Sequence, residues 1–107
     1  MQVVAIPRYY KPGDYEKLAV ATTGVTTLTA SKAITSAGRV AQAALITVEG
    51  ASIRWMDHGG TPTTGASGDG SPAVAGTEIR LNGTFAIQNF KCIGLSSSAT
   101  VHVHYYY

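Results

Sequence analysis

Three histidines, one cysteine and six acids have the widest chemical reach in this 107-residue chain, and their spacing decides what they can do. His102 and His104 stand two apart. On a strand such residues point to the same side, so their rings can share a metal ion. A third ligand would have to come from His58 with its neighbour Asp57. The competing reading is a solvated or interface face of the last strand, where titration of the imidazoles would weaken an interface at acid pH. Asp57, His58 and a serine supply the residue types of a hydrolytic triad, but no nucleophile-elbow glycine pattern accompanies them. The acids are thinly spread, and none falls in a pattern diagnostic of paired-carboxylate acid/base work. The run SGDGS from Ser67 to Ser71 has the flavour of a calcium loop yet lacks the recurring acids and the closing Glu. Cys92 is the single cysteine, so an intrachain disulfide and a Cys-based zinc site are both excluded. Between Lys91 and Ile93 in an apolar run it reads as a small buried hydrophobe. These residues point to no catalytic, cofactor or metal site, and the chain is expected not to be an enzyme.

The aromatic residues point instead to contact surfaces. Trp55, the only tryptophan, reads as a central core residue; exposed beside tyrosines it would be a stacking platform for a sugar ring. Tyr105, Tyr106 and Tyr107 lie in an alternating strand, so at least one of them faces away from the core. Such a ring suits burial against another subunit or a partner. The candidate partner-binding residues are Tyr9, Tyr10, Tyr15, Tyr106, His102 and His104.

The elements that position these residues are strands. Residues 1–17 read as an N-terminal arm or edge strand, with Pro7, Pro12-Gly13 and the Tyr9-Tyr10 pair. Residues 18–107 read as one β-sandwich domain. Leu18 to Thr29 is rich in Ala, Val and Thr, with Gly24 as a turn or bulge. Ala30 to Gly38 is a short helical turn or a loop. Arg39 to Glu49 is the strongest strand, and Gly50 turns it into Ala51 to Asp57, a hairpin pattern. In the second of these Ile53 and Trp55 share one face. Gly59 to Gly76 holds six glycines and two prolines, which predicts a long flexible loop without strand or helix. Thr77 to Asn82 alternates Glu78 and Arg80 outward with Ile79 and Leu81 inward. Asn82-Gly83 is a tight-turn signal. Phe85 to Leu95 reads as a strand whose parity changes between Ile87 and Phe90, as a bulge near Gln88-Asn89 would cause. Ala99 to Tyr107 closes the set, with Val101, Val103, Tyr105 and Tyr107 on one face and His102, His104 and Tyr106 on the other. Seven to eight short antiparallel strands with regular turns and a long Gly-rich loop predict an all-β sandwich or jelly roll.

Composition narrows the partners. Charged residues are 13% and hydrophobic ones 45%, so Thr, Ser and Gly must cover the surface. Such a surface meets other proteins without a large desolvation cost for charge. The net charge of +2 is spread along the chain, and no basic stripe marks a nucleic-acid binder. No signal peptide fits the start, and no run approaches a membrane span. The expected partners are therefore proteins, including further copies of the chain as a dimer or trimer, with no nucleic acid and no membrane.

The run AALITVEGASIRW from Ala43 to Trp55, then Asp57 and the GTPTTG of Gly60 to Gly65, resembles a pattern in small tailed-bacteriophage virion proteins. In those the chain runs "ALITVEG…IRWR.DG..PT…G", then a Gly-rich loop and a strand like Thr77–Leu81. A strand like Phe85 to Ile93 follows, and an Ala-Thr-Val-His-Val-type strand ending in tyrosines closes the chain. The resemblance covers roughly Val20 to Tyr107 and leaves the first 19 residues outside. It departs at His58-Gly59, where the pattern often passes straight from Asp to Gly. It implies a β-sandwich or jelly-roll virion structural protein made in the host cytoplasm, most naturally a capsid decoration (cement) protein that binds the major capsid protein. Neck or tail stations, and a carbohydrate-binding module, are the alternatives. It carries over no functional residues.

Overall fold

In a computed structural model of the protein, residues 12–33, 40–65 and 67–107 are described. Eight strands among them form two four-stranded antiparallel sheets packed face to face. The strands are β1 (Pro12–Val20), β2 (Thr26–Thr27), β3 (Ala43–Glu49), β4 (Ile53–Met56), β5 (Ser71–Ala73), β6 (Glu78–Asn82), β7 (Lys91–Gly94) and β8 (Ala99–Tyr106). Two short helices, α1 (Ala30–Ala33) and α2 (Thr84–Asn89), lie between them. One sheet has the order β1-β8-β3-β6 and the other β2-β7-β4-β5. The all-β sandwich expected from the alternation is the observed architecture.

The pairing has a simple logic. β1 pairs with β8, β2 with β7, β3 with β6 and β4 with β5. The first four strands thus form one long antiparallel hairpin with the last four, and its rungs are dealt alternately to the two sheets. Two further ladders, β3 with β8 and β4 with β7, close each sheet. This wound hairpin is the jelly-roll connectivity. Its tip is the loop from residue 57 to residue 70.

Period-two alternation fills the core. In β8, Ala99, Val101, Val103 and Tyr105 are buried in the core cluster with Tyr107 beyond the strand, while His102, His104 and Tyr106 point the other way. Opposite them stand Ala44, Ile46 and Val48 of β3 and Ile79 and Leu81 of β6. The other sheet contributes Ile53, Ala73 and Cys92, with Trp55 half-buried at the margin. Trp55 stacks on Phe90, ring centroids 5.9 Å apart. Burial pushes the Cys92 thiol up to about 12, so it stays protonated and packs as a small apolar group.

Four expectations are corrected. β3 and β4 are not a hairpin: they lie in different sheets, and the turn at Gly50 carries the chain across the sandwich. Both strands aim their apolar residues at the same core, so alternation is satisfied equally by a hairpin or by this arch. Residues 84–89 are helical, and the parity change from Ile87 to Phe90 marks the passage from the helix to the extended residue after it instead of a bulge. Asn82-Gly83 accordingly leads from β6 into α2 and turns no hairpin; Gly83, at φ 99°, donates its N–H to the Gln42 carbonyl at 2.7 Å. Finally, the Gly-rich stretch contains β5, whose Pro72 is tolerated because β5 is the edge of its sheet. The expected division between residues 17 and 18 falls inside β1. No helix among the described residues is long and apolar enough to cross a membrane.

Candidate functional site

The two sheets differ on their outer sides. On β4 and β7, Arg54 and Ile93 are cross-strand partners that point away from the core. Arg54 Nη1 donates to the carbonyls of Thr63 at 2.9 Å and Gly65 at 2.8 Å. The loop is tied again by Thr63 N–H to the Asp69 carbonyl at 3.0 Å and by Asp69 N–H to Thr63 Oγ1 at 2.7 Å. A Cβ at Gly68 would stand 2.5 Å from the Thr63 carbonyl oxygen and 2.6 Å from that of Thr64, so glycine is required for this approach. Pro62 is fully buried, and Ile93 is only 7% exposed although it points away from the core. The loop read as flexible is a structured flap fastened over its own sheet.

The outer side of the β1-β8-β3-β6 sheet has a different make-up. Registered pairing aligns its outward residues in rows: Tyr15, His104, Leu45 and Arg80 in one, and Lys17, His102, Thr47 and Glu78 in the next. A third holds Ala19, Thr100 and Glu49. Tyr106, beside Ala43 and Asn82, extends the surface at one end. Tyr15 is 44% exposed. Its ring lies 4.9 Å from that of His104 and stacks on that of His102 at 6.0 Å.

A hydrogen-bonded chain fixes these rings. His102 Nε2 lies 2.7 Å from Glu49 Oε1, and its Nδ1 lies 2.5 Å from the Tyr15 hydroxyl. A carboxylate only accepts, so Nε2 carries the proton; in the neutral ring Nδ1 then accepts from Tyr15. The bond to His102 holds the exposed Glu49 carboxyl below its ordinary value. Tyr, His and carboxylate in series have the order of a nucleophile, base and orienter. Here they lie on the outward side of a sheet, spread over three strands. Among the described residues no three His, Cys, Asp or Glu side chains come together as a metal-binding group.

Of the six candidate partner residues, the structure brings Tyr15, His102, His104 and Tyr106 onto one face. Tyr9 and Tyr10 lie outside the described residues. His58 and Asp57 sit at the start of the tip loop, away from the sheet face that carries the other two histidines.

One residue of consequence was not singled out by sequence reasoning. Glu16, next to Tyr15, points inward and is 9% exposed. It accepts from Thr29 Oγ1 at 2.5 Å, from Thr29 N–H at 3.1 Å and from the Tyr105 hydroxyl. Burial, and then the bond to Glu16, push the Tyr105 phenol far above its ordinary value. Beside it Tyr107 donates to the Lys32 carbonyl, and Lys32 Nζ meets Asp14 Oδ1 at 3.1 Å. The cluster ties the segment at α1 to β1 and β8, so the exposed rings of β1 rest on a fixed strand. The signal was available: Glu16 is in phase with Leu18 and Val20, two and four residues on.

Comparison of the chain with protein-family models, with curated proteins and with solved structures found no match.

Proposed function

We propose that this is a non-enzymatic virion structural protein, a capsid decoration protein that binds the outer surface of the major capsid protein and stabilises the head. The observation that carries the reading is the open sheet face. Tyr15, His102, His104 and Tyr106 come together there on the paired strands β1 and β8, held from behind by the Glu16 cluster. Aromatic and imidazole rings on a rigid surface favour protein contact. The jelly roll is shared by capsid and lectin domains, which is an analogy of fold and not of site. The resemblance to small phage virion proteins selects the capsid between them. Trp55 favours the same choice, because its ring is engaged with Phe90 and not offered as a sugar platform.

Decoration works by many copies, so a modest contact repeated with the symmetry of a shell dissociates slowly. The test is sedimentation of purified protein with decoration-free heads, counted per particle at saturation. A count that matches the shell lattice is expected. A count near the five, six or twelve of a vertex or neck would move the protein to that station, and no binding would bring the carbohydrate reading forward.

A further inference from the structure

The rows on the open sheet face are self-complementary, and we propose that this face binds a second copy of the chain in a two-fold face-to-face dimer. The inference does not need the decoration reading; that reading rests on the same face, so on any one copy the second chain and a capsid compete for it.

The argument follows from register. Across the second row the side chains run from Lys17 on edge strand β1, through His102 and Thr47, to Glu78 on edge strand β6. A two-fold axis parallel to the strands, passing between β8 and β3, turns this row end for end onto its partner copy. Lys17 of each chain then meets Glu78 of the other, and His102 meets Thr47. In the neighbouring row Tyr15 meets Arg80, an arrangement that places a guanidinium over a phenol ring, and His104 meets Leu45. Each pair is compatible, and each occurs twice, as an isologous interface requires. The alternative axis, perpendicular to the strands, sets β1 against β1 and β6 against β6, so Lys17 never meets Glu78. Only the parallel axis makes both Lys17–Glu78 contacts. Glu78 and Arg80 of one chain are 3.6 Å apart, a loose pair that the partner's Lys17 and Tyr15 would extend into a four-residue cluster.

The size sets the strength. Four strands about 4.8 Å apart and rows spanning about 20 Å give a flat footprint of about 400 Å². A standard interface buries about 800 Å² per partner, so the dimer is expected to be concentration-dependent and not permanent. Sheets packed face to face cross at about −30°, which keeps the central His and Leu/Thr contacts best aligned and leaves the Lys17–Glu78 pairs at the rim.

Sedimentation equilibrium of the whole chain, from about 5 to about 500 µM, tests the proposal. The expected result is a monomer–dimer equilibrium whose dissociation constant rises about tenfold or more in Lys17→Glu and in Glu78→Lys alike, and returns to within about threefold of the parent in the double reversal. Both positions are exposed, and a thermal midpoint for each variant checks that the fold is intact. A monomer at every concentration overturns the proposal, as does a trimer. So does a dimer indifferent to both reversals, or one that the double reversal fails to restore. Capsid sedimentation reads the decoration proposal separately: a protein that dimerises this way and ignores capsids leaves this inference standing, and one that coats capsids while remaining monomeric in solution removes it.

Discussion

The outer sides of the two sheets are built from the same strand grammar and finished in opposite ways. On the β2-β7-β4-β5 sheet the strands are short, and the chain folds its own Gly-rich loop back onto Arg54. On the β1-β8-β3-β6 sheet the strands are longer, and the outward rings of Tyr15, His102 and His104 stand among charged and hydroxyl residues, tied by the Tyr15–His102–Glu49 chain. The lesson is that a jelly roll needs only its inner faces to fold. One outer face is closed by the chain itself, and the other is left exposed with ordered aromatic side chains.

Substitutions sharpen that contrast, because two adjacent residues of β1 serve opposite faces. Glu16→Ala leaves the buried Tyr105 hydroxyl and the half-buried Thr29 N–H without their acceptor, and is expected to cost about 3 kcal/mol in urea denaturation. Arg54→Met releases the flap from its two carbonyl bonds. It is expected to cost about 2 kcal/mol and to speed amide exchange from Thr63 to Asp69, with little effect on the open face. A loop that exchanges no faster in Arg54→Met would break the comparison, since the flap would then not depend on its anchor.

Alkali probes the buried side next. Cys92, Tyr105 and Tyr107 all have folded values raised first by burial. The folded state holds these protons more tightly, so their contribution is complete below the ordinary thiol and phenol values. It is lost as pH rises from about 9 through the raised folded values. The urea midpoint should fall between pH 9 and pH 11, by about the same amount whatever the state of the open face. Tyr105→Phe should flatten that fall while lowering stability at pH 7 through the loss of its bond to Glu16.

The smallest expected effect on stability is on the open face. Tyr15→Phe and His102→Ala should each change stability by less than about 1 kcal/mol, because their bonds lie in solvent. They should weaken association far more than that. A large loss of stability with unchanged association would assign these residues to folding instead of contact.

Much of this was legible in the order of residues. The inward and outward sets of β8 and β6 follow from strict alternation, and so does the placing of His102, His104 and Tyr106 on one side. What alternation does not encode is which sheet a strand joins, and the β3–β4 turn was misread for that reason. Nor does composition distinguish a flexible loop from one held by its own backbone: the ties to Arg54 are made to carbonyls that every residue has. The helix at 84–89 is hidden because Ile87, its one buried residue, and Phe90, the extended residue just beyond it, mimic a bulged strand over so short a stretch. Cross-strand register brings Tyr15 to His104 across most of the chain length, and no local spacing reveals that meeting.

The three histidines allow the central claim to be tested in one experiment. His102 and His104 report on the open face, and exposed His58 at the start of the tip loop is an internal control. Imidazole acylation, read by mass spectrometry, would be compared between dilute protein and protein assembled at high concentration or on capsids. Slower labelling of His102 and His104 with His58 unchanged is the predicted result. Slower labelling of His58 with the other two unchanged would contradict the account and move the contact to the tip of the roll.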